Sequence, residues 1–488
     1  MTRLSNATLD RLPPDVARPG YERGALATGI VHLGIGAFHR AQEAVFTEAA
    51  LAAGDLSWGI LGASLRSPDT RDALAPQDGL YTVAVRGPAG EDLQVIGAVR
   101  EVLVGAEDPA ALVTAMTDPR VRIVSLTVTE KGYCHDPATG RLNEAHPDIV
   151  HDLADPQRPR SAPGYLIEAL RRRRAAGTPP FTVLCCDNLP RNGTTVAGIV
   201  RDLAAMHDGD LARFVAGDVA FPCTMVDRIV PATTDADRAA IAQRLGVEDA
   251  WPIVTEPYNY WAIEDRFPAG RPDWPGVAFV ADIAPYEAMK LRLLNASHSV
   301  MAYLGYLAGH ETIADTIADP PFRHLVAGLM DQEVTPTLKL PPGTDVAAYK
   351  RALIERFANP ALKHRTWQIA MDGSQKLPQR LLGTVRDRRA AGAPIDRLAL
   401  GVAGWMRYVT GTDERGQAID VRDPLAARLR TIAGNAGLNA ARLAPMLLEV
   451  REVFGDDLAA DPRFRAAVTD ALSRVIARGA RGAVAATA

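Results

Sequence analysis

Hydrophobic residues fall along this chain in two rhythms. Up to about residue 280 they come as short, nearly unbroken runs at 29–36, 58–65, 122–128 and 181–186, with helical spacing at 41–53, 109–117 and 165–176 between them. Unbroken apolar runs suit strands buried on both faces, and strands alternating with helices predict a doubly wound, mainly parallel α/β sheet. From about Ile283 the rhythm becomes helical and rich in Ala, Leu and Arg, holding to Arg478 with turns near Pro320, 341–343 and Pro394. Residues 1–283 are expected to form the sheet domain and residues 284–488 a mainly α-helical one, with a disordered tail from Gly479.

Length and charge fit that division. A chain of 488 residues exceeds what one hydrophobic core normally supports. Its 54 basic and 58 acidic residues are well mixed, for a net charge of −4, which leaves no broad cationic face for nucleic acid or an anionic membrane. A small molecule is the expected partner. Cys134, Cys185, Cys186 and Cys223 show no Cys-x-x-Cys spacing, so reduced thiols in a cytoplasmic protein are expected. Residues 1–23 are polar and unlike a signal peptide, and no apolar run reaches membrane-spanning length.

One stretch of the helical half departs from its apolar pattern. Glu287, Lys290, Asn295 and His298 punctuate Tyr286-Glu-Ala-Met-Lys-Leu-Arg-Leu-Leu-Asn-Ala-Ser-His298. On an ideal α-helix Glu287, His298 and Asn295 stand about 60°, 80° and 140° around from Lys290, opposite an apolar face of Met289, Leu293, Ala296 and Val300. Polar groups set among apolar ones suggest a pocket or crevice. The same spacing also suits an interfacial helix with a solvated lysine and a core histidine.

In the first half, Gly34-Ile-Gly36 ends the first run and opens a helix. Such a turn leaves room for a pyrophosphate against backbone N–H groups, with Ala37, Phe38 and His39 beside it and Arg40 adding charge. His39 stands where a third glycine is usual, so the dinucleotide fingerprint is incomplete. The second run ends in Ser64-Leu65-Arg66 with no acid at its tip. Asp69 is the nearest acceptor for a ribose hydroxyl, while Arg66 could face a 2′-phosphate, so the residues leave NAD and NADP both open.

Five ordered segments together are distinctive: His32-Leu-Gly-Ile-Gly-Ala-Phe-His-Arg40, Thr127-Val-Thr-Glu-Lys-Gly-Tyr133, Cys186-Asp-Asn-Leu189, Met225-Val-Asp-Arg-Ile229 and the Lys290–His298 pattern. In this order, over nearly the whole chain, they resemble the polyol-specific long-chain dehydrogenases. Phe221-Pro-Cys-Thr-Met-Val-Asp-Arg-Ile-Val-Pro231, Arg365-Thr-Trp-Gln-Ile-Ala-Met-Asp-Gly-Ser-Gln-Lys376 and Leu400-Gly-Val-Ala-Gly-Trp-Met-Arg-Tyr408 are most similar to the branch acting on hexuronates. The resemblance implies a Rossmann-type N-terminal domain binding NAD, no metal, a monomer, and reduction of the ketone of D-fructuronate to give D-mannonate. It implies Lys290 as general acid/base, Asn188 and Asn295 as amides holding the reacting oxygen, and His298 as a substrate-orienting imidazole. Glu287 and Asp227 match acids that relay or steer the lysine's proton, Lys376 a substrate contact, and Thr127 and Glu130 cofactor contacts. Gln368 stands where the mannitol enzymes carry an arginine, which argues against mannitol as the main substrate.

These residue types suit the chemistry. A secondary alcohol and its ketone interconvert when a hydride moves to or from a nicotinamide while a positioned base takes or returns a proton. A lysine serves when a dry, cationic setting lowers its pKa, and amide N–H groups stabilise the alkoxide-like oxygen without zinc. A hexuronate adds a carboxylate, for which Lys376 is the favoured cation, with Arg365 and Arg380 as candidates that equally suit a solvated helix surface. The rivals are a mannitol 2-dehydrogenase, an enzyme for arabinitol or tagaturonate, and a catalytically silent dinucleotide-binding sensor.

Overall fold

The computed structural model describes residues 2–136 and 139–487, and the chain divides into two compact units, Met1–Ala284 and Pro285–Ala488. Five strands build the central sheet of the first unit: β1 (Thr28–Leu33), β2 (Gly59–Ser64), β3 (Val99–Val104), β4 (Ile123–Leu126) and β5 (Thr182–Cys185). All pair in parallel, in the order β3-β2-β1-β4-β5. Ile30, Ile60, Ile123 and Leu184 face one core layer with Phe46, Leu51 and Trp261, whereas Val31, Leu61, Val124 and Val183 face the other with Leu112, Met116 and Leu166. Burial on both faces is why these strands read as continuous apolar runs. The order reverses between β1 and β4, so their C-terminal ends flank the crevice where open α/β sheets take ligands.

Helices join the strands much as the periodicity predicts. Pro109–Thr117 is capped by the Asp108 side chain, and Ala162–Ala175 by Ser161. The helix expected at 41–53 is two, Ala37–Ala41 and Glu43–Ala52, parted at Gln42 (φ −121°, ψ −84°). Periodicity did not reveal two small sheets. Tyr81–Gly87 pairs antiparallel with Gly90–Ile96 and parallel with Ile253–Thr255. Thr224–Asp227 pairs antiparallel with Tyr260–Glu264, which runs parallel to Ala278–Val280. Four of these six strands have only three to five residues, too few to show a pattern alone, and distant partners hold them.

Among its described residues the second unit is helical. Ala296–Leu307 and Asp396–Tyr408 pack on each other and on Pro462–Ala485. Every residue from Ala296 to Gly305 is buried, polar Ser297, His298 and Ser299 included. Three helical segments, Lys290–Asn295, Leu329–Val334 and Pro378–Leu382, adopt π geometry. Among the described residues no helix is long and apolar enough to cross a membrane.

The disordered tail is not found. Pro462–Ala485 bends at Gly479 (φ 70°, ψ 165°), a left-handed position that glycine tolerates, and the chain then packs inward. Ala480, Ala483 and Val484 are fully buried, the Ala480 N–H donates to Glu414, and Arg481 pairs with Asp319 at 2.7 Å. Sequence reading took the glycine and small residues for a frayed end. Truncation after Arg478 is expected to lower the thermal midpoint by roughly 5 °C, the effect of losing about 2 kcal/mol of burial. Calorimetry checks this, and an unchanged midpoint would mean that the segment adds nothing.

Candidate active site

The turn after β1 is held open by a backbone that only glycine fits. Gly34 has φ 90°, and a Cβ there would stand 2.3 Å from the Thr127 carbonyl oxygen beyond β4. Gly36 N–H folds back onto the Gly34 carbonyl (2.6 Å), and a Cβ on Gly36 would meet nothing nearer than 3.7 Å. The opening over Gly36 and Ala37 is exposed, Phe38 is half-buried, and the turn lies at the reversal point of the sheet. A diphosphate could approach such a surface closely.

His39 and Arg40, placed at this turn by sequence, point inward instead. Arg40 is 4% exposed, donates to the Trp251 carbonyl (2.5 Å) and to Gly36 O (3.3 Å), and lies over the Tyr81 ring. Burial lowers its guanidinium to about 10, and its charge braces the turn rather than facing a ligand. His39 stacks on His32 at 3.5 Å and shares a hydrogen bond with Glu43 (3.1 Å); burial and His32 lower it to about 4. Burial would raise the Glu43 carboxyl, but hydrogen bonds from His32 and His39 outweigh it and hold Glu43 well below the usual range. His32 also reaches Ser125 and Thr127 Oγ1, each at 2.8 Å, so Thr127 is tied to the turn from beneath. The donor atoms of His32, His39 and Glu43 lie within 4.8 Å of one another. Stacked rings keep their nitrogen lone pairs in parallel planes, which suits this hydrogen-bonded brace better than convergence on an ion.

Asp69 begins the helix Asp69–Leu74 beyond β2 and is exposed, its N–H donating to Ser67 Oγ. Arg66 leans toward Asp148 at 3.8 Å. Beside them, beyond the ends of β2 and β3, lies a cavity of about 340 Å³ lined by Arg66, Gly105, Ala106, His151 and Arg160. Glu130, in Thr129–Gly132, and Asn188, just past β5, are exposed. Asp227 ends the strand Thr224–Asp227 and is 3% exposed. Arg228 beside it donates to the carbonyls of Ala41 and Glu256.

In the second unit the candidate helix is not one regular α-helix. Ala284–Met289 carries Glu287, Lys290–Asn295 is a π turn, and Ala296–Leu307 carries His298. An i→i+5 repeat holds more residues per turn and so swings Asn295 nearer to Lys290 around the axis than the about 140° of an α-helix. The wheel drawn from the sequence is corrected accordingly. Lys290 is 9% exposed and His298 5%. Burial, then electrostatic repulsion from His364, Arg380 and Arg356, holds His298 well below its ordinary pKa, and its Nε2 has no hydrogen-bond partner in the protein. Lys376 is half-buried and donates to Ile369 O (3.2 Å), while Gln368, on the helix Thr366–Ala370, is exposed. Arg365 pairs with Glu311 at 2.5 Å.

Comparison with known proteins decides the relationship. The Mannitol dehydrogenase Rossmann domain matches residues 28–276 and the Mannitol dehydrogenase C-terminal domain residues 282–476. The chain belongs to the mannitol dehydrogenase family. It is 50% identical to the D-mannonate oxidoreductase of Escherichia coli (strain K12), over 96% of this chain and 98% of that protein. It is also 50% identical to the uncharacterized oxidoreductase YeiQ of the same organism, over 99% of each. Among solved structures it resembles the Pseudomonas fluorescens mannitol 2-dehydrogenase in ternary complex with NAD and D-mannitol, at TM-score 0.90 and 39% identity over 99% of each chain. The resemblance read from the motifs is thus borne out, and this is an oxidoreductase of polyol or sugar-acid alcohols.

In this member of the family, sequence reading passed over Asp187. Its carboxylate accepts from Tyr133 OH (2.7 Å) and from the N–H groups of Val128 (2.9 Å) and Thr129 (3.2 Å), the last in a left-handed conformation (φ 63°). Asp187 therefore ties the segment carrying Glu130 to the one carrying Asn188. Burial pushes it up to about 6 from 3.8. The folded state then binds this proton more tightly than the unfolded chain, so the contribution to stability is complete below about pH 4 and is lost as pH rises through 6. The unfolding free energy of wild type relative to Asp187→Asn is expected to fall by about 2 kcal/mol between pH 4 and 7 in urea titrations. A difference that stays constant with pH would contradict this.

Proposed function

We propose that this oxidoreductase reduces the ketone of D-fructuronate to the secondary alcohol of D-mannonate, with NAD as the dinucleotide and Lys290 as general acid. The observation carrying the reading is the π turn, which brings Asn295 nearer to Lys290 around the helix axis, next to a buried, neutral His298. The 50% identity to a D-mannonate oxidoreductase supports the substrate, and the NAD held by the mannitol 2-dehydrogenase supports the cofactor. The glycine turn at the β1/β4 reversal fits a diphosphate, and exposed Asp69 can accept hydrogen bonds from a ribose.

Bound NADH would supply the hydride. The Lys290 ammonium donates its proton to the ketone oxygen as negative charge grows there, and in the reverse direction neutral Lys290 takes it back. The side-chain N–H group of Asn295 hydrogen-bonds the same oxygen and stabilises its growing charge. His298 orients a neighbouring hydroxyl through its unpartnered Nε2. Glu287 passes the proton between Lys290 and solvent, and Lys376 contacts the sugar. A second reading, mannitol 2-dehydrogenase, is favoured by the TM-score of 0.90 to that enzyme. Against it stands uncharged Gln368.

Replacing Lys290 with Ala tests the reading. NADH binding, followed by quenching of protein fluorescence, should stay near wild type while kcat falls on the order of 10²-fold or more. Parallel loss of binding and turnover would make Lys290 structural.

A further inference from the structure

We infer that Arg380 and His364 form the corner of the substrate site that reads the sugar's carboxylate, an inference resting on the hexuronate reading above and naming the residues that enforce it. Arg380 sits in the π turn Pro378–Leu382 and reaches a neighbouring one. Its guanidinium donates to Ser299 Oγ (3.2 Å) and to the backbone carbonyl of Asn295 (3.5 Å). The cation is thereby fixed to the residue whose amide is proposed to hold the reacting oxygen. A planar guanidinium matches a carboxylate through two parallel N–H donors, a geometry that a lysine cannot offer.

Two imidazoles complete the corner. The rings of His298 and His364 meet edge to face at 5.2 Å. The buried Nε2 of His298 and the buried Nδ1 of His364 have no hydrogen-bond partner in the protein. Leaving such an atom unsatisfied is costly, and two orphaned nitrogens on rings 5.2 Å apart point to a ligand that supplies their partners. Burial, then Arg380 and Lys376, lower His364 to about 4, so at neutral pH its ring is uncharged and offers one N–H and one lone pair. A cation beside neutral imidazoles suits a polyhydroxylated acid: the carboxylate on Arg380, hydroxyls on the rings. Arg365, the other arginine considered from sequence, is committed to exposed Glu311.

The test compares kcat/KM for fructuronate and for uncharged fructose at saturating NADH, in wild type, Arg380→Gln, Arg380→Lys and His364→Gln, with thermal melts to confirm folding. Wild type should prefer fructuronate. Arg380→Gln should cut that preference about 10²-fold, chiefly through KM, because a site built around a partly buried charge discriminates by that charge. Arg380→Lys should recover part of it, and His364→Gln should reduce it less. A preference that survives Arg380→Gln, or equal losses on both sugars, overturns the inference alone. A wild type that prefers fructose removes the hexuronate reading and the inference with it.

Discussion

The candidate site depends on a helix that is wound one residue too wide. Between Lys290 and Asn295 the hydrogen bonds skip five residues instead of four, and this swings the position carrying the amide toward the side of the helix that carries the amine. π turns are costly, and they persist where surrounding packing fixes them. Here the helix that follows is buried at every position from Ala296 to Gly305, so its register cannot slip, and Arg380 holds the Asn295 carbonyl at the turn's end. Lys290 and His298 are consequently immobilised polar groups in an apolar setting, the condition under which proton transfer and hydrogen bonding act most strongly on a substrate.

The first unit solves a different problem, presenting backbone to a ligand without collapsing onto it. Gly34 must be glycine because the Thr127 carbonyl occupies the space of a side chain, and the turn is propped from beneath by His32, His39, Glu43 and Arg40. Those four residues are buried, so their conservative replacement should be felt through the turn's shape rather than through direct contact.

The doubly wound sheet was legible because its strands are buried on both faces and therefore uninterrupted: Ile30 and Val31 serve opposite core layers. The helical second half was legible from its period. Hidden from sequence were the features set by distant partners: the small sheets completed by Ile253–Thr255 and Ala278–Val280, and the packing of Ala480 after the Gly479 bend. The residue types at Lys290, Asn295 and His298 were visible, but an α-helical wheel could not show the widened turn that brings the first two nearer around the axis. Arg40 and His39 were misplaced because a motif names residues without saying which way they point. Asp187 and His364 escaped notice because their significance lies in three-dimensional partners: the two backbone N–H groups and the tyrosine hydroxyl held by one, the unsatisfied nitrogen of the other.

The most direct measurement follows the absorbance of NADH as purified protein is given fructuronate or fructose. Rapid NADH loss with fructuronate and little with fructose is the predicted result. Equal or faster loss with fructose, or no loss with any ketose, would contradict the assignment of a carboxylate-reading reductase to this site.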